Sequence, residues 1–188
     1  MKIWKLKEQY NYSVPTEAGD IAYRMMERLY KKHARFNEPI SSKWKPFFAL
    51  QYGRERVADV GTLVHFPVIS LKCKDVLFPL LEATVEFLPY ETDNGLYYVL
   101  NIPTLAPEEV LDLSRSDYKE YHNPEYDFPI LDVSQYCFRE NAIATTPIFI
   151  MRPYETRIFV TNSFMDMYWQ YKLKGLDIDE TNPLWQTI

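Results

Sequence analysis

The segment from Ser70 to Asn101 constrains the fold more than any other part of the chain. It opens with SLKCKDVL, where Ser70 is placed to cap a helix by accepting a bond from an otherwise unpaired backbone amide. Pro79 has no amide hydrogen and its ring crowds the preceding turn, so the helix is expected to end or kink after Phe78. VEFLPYE then alternates Val85, Phe87 and Pro89 with Glu86 and Leu88, Asp93-Asn94-Gly95 brings turn chemistry, and Leu96 to Ile102 returns as an almost continuous apolar strand. One capped helix followed by one antiparallel hairpin is the expected unit.

The flanking segments carry the same two signals. KIWKL sets Ile3 and Lys5 against Trp4 and Leu6, the period of a short strand. From Asp20, which can cap a first turn, DIAYRMMERLYKKHARF puts Ile21, Met25 and Leu29 on one helical stripe beside Ala22, Met26 and Tyr30. His33 follows Leu29 by four residues and reads as a helix-face side chain, not as a ligand or base. Residues 37–69, punctuated by Pro39, Pro46 and Pro67, take no assignment. Their Trp44, Phe47, Phe48 and Tyr52, set among Lys43, Lys45, Arg54 and Arg56, read as core rather than as a single-strand nucleic-acid platform, since no RNA-recognition signature accompanies them.

Farther along, Pro107 with Glu108 and Glu109 starts a short helix expected to run through Leu113. The span Ser114 to Asp132 reads as an acidic loop. TPIFIMR and RIFVT flank Pro153-Tyr154-Glu155-Thr156 as a second hairpin. Asn162 or Ser163 can cap the helix that follows, with Phe164, Met167, Tyr168 and Tyr171 on one face and Gly175 as terminator. LDID and a peripheral tail, TNPLWQTI, finish the chain. No internal repeat is visible. This order of elements, without repeated strand-helix-strand units, predicts an α+β fold: a mainly antiparallel sheet of hairpins packed with several helices.

Length and charge narrow the functional classes. A chain of 188 residues is near the size of one domain and can bury about 70% of its unfolded surface, so residues 1–188 are expected to form a single domain, with a strand and helical part over 1–65 and an α+β part over 66–188. No apolar run approaches a membrane span, and MKIWKLKEQYNYSV interleaves charges where a secretory signal needs an unbroken apolar core; a cytoplasmic protein is expected. Cys73 and Cys137 form no CxxC and read as two reduced thiols. Residues 1–74 carry a net +7 and residues 75–188 a net −12, a balance in the second part that repels nucleic acid and favours basic partners.

No catalytic motif emerges. The five glycines build neither GxGxxG nor GxxxxGK[ST], no serine sits in a GxSxG elbow, and neither cysteine has a nucleophile signature, so no catalytic residue and no cofactor is expected. His122, Glu125 and Asp127 form H-x-x-E-x-D, and Asp177, Asp179 and Glu180 form a second oxygen-rich set. Both read as solvated residues rather than metal ligands, because neither matches the spacing of a known metal loop. What stands out is aromatic content: 15 Tyr, 11 Phe and 4 Trp. Tyrosine joins apolar area to a polar tip and is a favoured interface anchor. Glu108, Glu109, Asp112, Asp117, Tyr118, Glu120, Tyr121, Glu125, Tyr126 and Asp127 are therefore the candidate partner-binding residues, suited to a basic protein surface.

From FPVISLKCKDVL onward the chain resembles a family of bacterial polymorphic-toxin immunity proteins, the immunity-eleven type, a domain-of-unknown-function family. The resemblance is carried by the Ser70-led helix, VEFLPYE with YYVLN, PEEVLDLSRS, and the final IFVTNSFMDMYWQYKLKGLDI, where Phe164, Gly175 and Leu176 fall at the family's positions. It implies a cytoplasmic antidote without chemistry of its own, which binds a cognate toxin domain and blocks it. A small hydrolase or metal-dependent enzyme using His122, Glu125 and Asp127, and an adaptor binding another host protein, are the competing functions.

Overall fold

Alternation in the first strand sends neighbouring side chains to different cores, and that sorting sets the architecture. The computed structural model describes residues 1–16, 19–32, 38–51, 56–64, 66–122, 130–151, 157–178 and 185–186. In chain order the strands are β1 (Lys2–Lys5), β2 (Tyr12–Ser13), β3 (Phe48–Ala49), β4 (Arg56–Val57), β5 (Val60–Leu63), β6 (Phe66–Ser70), β7 (Glu86–Thr92), β8 (Gly95–Asn101), β9 (Thr104–Leu105), β10 (Asp117–Tyr121), β11 (Ile130–Gln135), β12 (Ile148–Met151), β13 (Ile158–Thr161) and β14 (Trp185–Gln186). The helices are α1 (Gly19–Lys32), α2 (Leu71–Leu81), α3 (Pro107–Val110), α4 (Glu140–Ile143) and α5 (Asn162–Gln170). His33, Tyr52, Arg54, the turn 153–156, Asp179 and Glu180 lie outside the described residues.

One five-stranded sheet runs β14-β1-β13-β12-β9 and a second runs β3-β7-β8-β6-β5. Within these two sheets pairing is antiparallel except where the two-residue strands β9 and β3 join β12 and β7; the separate pair β2–β4 is also parallel. The result is a single α+β domain of mainly antiparallel sheets, as the order of segments predicts.

In the first sheet, Ile3 faces outward with Phe149, Met151 and Phe159, while Trp4 faces inward with Ile148, Ile150, Ile158 and Val160. In the second, Val60, Ile69 and Leu100 face inward, and Val68, Leu88, Tyr90 and Val99 face outward beneath Met26 and Leu29 of α1. Between the two inner faces lie α2, burying Cys73, Leu77 and Leu81, and α5, burying Phe164, Met165 and Tyr168. The domain is therefore layered: α1, sheet, the α2 and α5 pair, sheet, and an outer cover of α3, α4 and the β10–β11 hairpin.

Both central helices follow their strands without a loop. Ser70 ends β6 and caps α2, its Oγ accepting from the Cys73 amide at 3.2 Å. Cys73 is thus sealed under the first turn, and burial pushes its thiol well above the ordinary range. Pro79 does not stop α2 at Phe78. The helix continues to Leu81 because Leu77 and Leu81 share one fully buried stripe, and the Glu82 amide still reaches the Phe78 carbonyl at 2.9 Å. At α5 the cap position falls on Thr161, one residue before Asn162, and its hydroxyl lies 2.9 Å from the Ser163 hydroxyl. Met165 is buried there, whereas Tyr171, expected on the apolar face, is exposed.

The segment leaving α5 is joined to the second sheet at Asp59. The Asp59 and Val60 amides both donate to the Lys174 carbonyl, at 2.8 and 3.0 Å, and the Asp59 carboxylate accepts from the Lys174 amide, the Ser70 hydroxyl and Lys72. Gly175 is required beside this joint: its φ is +117°, and an added Cβ would overlap the Val60 carbonyl oxygen. A second tie fixes residues 38–41. Glu86 on β7 accepts from the Ile40 and Ser41 amides at 2.7 and 3.2 Å and from Asn101 Nδ2 at 2.8 Å. In the previously unassigned region, Trp44 donates to the Pro89 carbonyl and Phe47 stacks on Tyr90 at 4.8 Å, so both belong to the outer core as expected; Phe48 is exposed.

Phe159 is fully buried against Tyr136, Phe138 and Phe149. Phe159→Ala is expected to lower unfolding free energy by about 3–5 kcal/mol in denaturant titration; a loss below about 1 kcal/mol contradicts this placement. Burial by itself would raise the Glu86 carboxyl, but bonds from Ile40, Asn101 and Ser41 outweigh it and hold the group below its ordinary value. Its charged form stabilises the fold above the ordinary carboxylate range, and that contribution disappears as pH falls through the lowered folded value. Glu86→Gln should therefore be destabilised at neutral pH, with the gap to the parent protein narrowing towards acid.

Candidate partner-binding face

The span read as an acidic loop from Ser114 to Asp132 is in its described part a hairpin. β10 and β11 pair antiparallel, with Tyr118 opposite Val133, Lys119 opposite Asp132 and Glu120 opposite Leu131, and one register irregularity between Asp117 and Tyr118. Period-2 patterning accounts for it. Leu131 and Val133 are buried, Asp132 and Ser134 are exposed, and the apolar pair covers the outer core with Val110, Leu111 and Ile143. The hairpin is held as a strand pair because one of its faces seals Phe149 and Phe159.

The helix before it is shorter than expected. α3 ends at Val110, not Leu113, because Leu111 turns extended to bridge Phe138. Glu109 reaches back to accept from the Ala106 amide at 3.0 Å, satisfying the helix start, and Arg139 donates to the Glu108 carbonyl at 3.1 Å. Asp112 organises the next turn: its carboxylate accepts from the Ser114 hydroxyl and amide at 2.6 and 3.1 Å, and its carbonyl from the Ser116 hydroxyl at 2.9 Å. The Ser114 hydroxyl does most to hold the Asp112 carboxyl below its ordinary value; desolvation, next in size, opposes it, and the Ser114 amide, Arg115 and Arg139 add to the lowering. Asp117 in turn accepts from the Ser134 hydroxyl at 2.8 Å.

The ten candidate residues thus separate by role. Glu109 closes the start of α3, and Asp112 builds the turn that follows it. Tyr118 is half-buried against the outer core. Glu108, Asp117, Glu120 and Tyr121 are exposed, with Tyr121 half accessible, and Glu125, Tyr126 and Asp127 lie outside the described residues. Asp132 joins the exposed set through strand pairing, a residue that the alternation in ILDVSQ could have supplied. Lys119 interrupts the negative field, so the face is mixed rather than uniformly acidic. His122 is exposed just beyond β10, and its proposed co-ligands Glu125 and Asp127 fall outside the described residues.

No protein-family model matches the sequence, and no curated protein matches it either. Among the described residues no helix is long and apolar enough to cross a membrane. Among the described residues, the hairpin and the turn before it present exposed carboxylates, Lys119 and the accessible ring of Tyr121, on a strand pair backed by core.

Tyr118 and Tyr121 test the division. Tyr118→Ala should lower stability by about 1–3 kcal/mol, whereas Tyr121→Ala should stay within about 0.5 kcal/mol, by thermal or denaturant unfolding. Equal losses would mean that the two rings do not differ in their packing.

Proposed function

We propose that the protein is a cytoplasmic immunity protein of a bacterial polymorphic toxin system, which binds a cognate toxin domain and neutralises it by occlusion. What supports this is the exposed carboxylate and tyrosine set on the β10–β11 hairpin, together with the resemblance from Phe66 onward. A hairpin packed on a core presents its side chains with little ordering left to lose on binding, and aromatic anchors ringed by charge are the usual composition of tight interfaces. The role needs no catalytic group of this chain. Its carboxylates would occupy the basic surface of the toxin, steering association, and Tyr121 would supply the anchor.

The test is kinetics with a toxin domain encoded beside this chain. Replacing Asp117, Glu120 and Glu125 together with their amides should slow association and flatten its salt dependence, because rim charges act through screened long-range fields. Tyr121→Ala should chiefly speed dissociation, weakening the complex by about 2 kcal/mol or more. Unchanged binding in folded variants would place the interface elsewhere. Failure to protect cells from any neighbouring toxin, with stable capture of another host protein, would favour the adaptor role.

A further inference from the structure

Along the inner face of the second sheet, α2 covers only part of what the strand register presents. Phe87 stands opposite Leu100, and Tyr98 lies two residues before Leu100 on the same face. Leu100 is fully buried in the central core, whereas Phe87 and Tyr98 are half-buried at its border. Phe78 on α2, 40% exposed, completes the group. Its ring lies 5.5 Å from Phe87 with the planes at 40°, and Phe87 meets Tyr98 at 6.4 Å and 83°, so the three rings do not stack but take different orientations.

A cation stands where these rings converge. Lys74, one helical turn before Phe78, places its Nζ over all three: 4.9 Å from the centroid of Phe78, 5.1 Å from Tyr98 and 5.8 Å from Phe87. Each distance is within the range over which a ring quadrupole attracts positive charge. An ammonium carries three donors, yet among the described residues neither a carboxylate nor any other acceptor takes one from Lys74. Lys72, on the same helix, pairs instead with Asp59 at 3.2 Å. The charge on Lys74 is thus held by rings alone. Asp75 adds a negative field at the edge of the group: burial first, and then its carboxylate, push the Tyr98 hydroxyl up.

We propose that Phe78, Phe87 and Tyr98 form a receptor for a trimethylammonium group, with the Lys74 ammonium as its built-in stand-in. The site offers ring faces and no acceptor. A primary ammonium is compact and strongly hydrated, and its donors find no partner here except water. A trimethylammonium has no N–H to satisfy and spreads its charge over methyl groups that can lie against all three rings, which is the basis of quaternary-ammonium recognition by aromatic cages. Because Phe78 is exposed and the Lys74 stem has four rotatable carbons, the stand-in can swing out without disturbing the buried stripe of α2. The inference goes beyond toxin neutralisation and does not depend on it.

The experiment follows the ring signals of Phe78, Phe87 and Tyr98 in the full chain by NMR during titration with choline, N-acetyl-trimethyllysine methylamide, and dimethylbutanol, the neutral isostere in which carbon replaces the choline nitrogen. Saturable shifts of these rings are expected with both cations, with the neutral isostere about tenfold weaker or worse. Lys74→Ala empties the rings and should tighten choline binding about threefold or more; Lys74→Met, which removes the charge but leaves a stem across the rings, should tighten it less. Phe78→Leu, at an exposed position that leaves the fold intact, should weaken binding about twofold to fivefold. Choline binding more tightly than the capped trimethyllysine identifies a free small cation as the ligand, and the reverse order identifies a methylated lysine of a polypeptide. No saturable ring shift at tens of millimolar choline in Lys74→Ala, equal binding of dimethylbutanol, or a Lys74→Ala protein that binds no more tightly than the parent would overturn the proposal.

Discussion

Burial of α2 and α5 between two sheets is the constraint on which the rest of the molecule depends. Neither helix is long, and each has only a few buried side chains, so their stability comes from apolar contacts supplied by both sheets together. Trp4 from the first sheet meets Trp169 of α5 edge to face at 5.4 Å, and Val60 and Ile69 close the same core from the second. Because the inner faces are spoken for, α1 and the β10–β11 hairpin are left to cover the outer ones. The exposed outer surface of the β10–β11 hairpin is thus a by-product of sealing the outermost core.

The same layering explains which features could be read from residues alone. The helix cap at Ser70, the Asp93-Asn94 turn, the alternation of Ile3 against Trp4 and the arms of the second hairpin are local signals, and each has the predicted form. Pro79 shows the limit of a local rule: the loss of one amide donor is outweighed by the burial of Leu77 and Leu81 two residues to either side. In residues 37–69, β3 and β4 are two residues long, too short to show a period, and their pairing with β7 and β2 is decided by distant partners.

The candidate site divides in the same way. Composition located the carboxylates and tyrosines between Glu108 and Asp127, but DYKEY carries too many charges to look like a strand until Leu131 and Val133 are seen against the outer core. Burial then separates Tyr118, a packing residue, from Tyr121, an accessible one.

The seal over Cys73 gives the central layer its own built-in clock. A thiol reacts as the thiolate, and here burial suppresses both ionisation and access. Alkylation at this sulfur therefore waits for α2 to lift away from α5 and the two sheets, so its rate counts openings of the middle of the molecule rather than events at its surface. A single native atom thereby distinguishes fluctuations that spare the helix pair from those that part it.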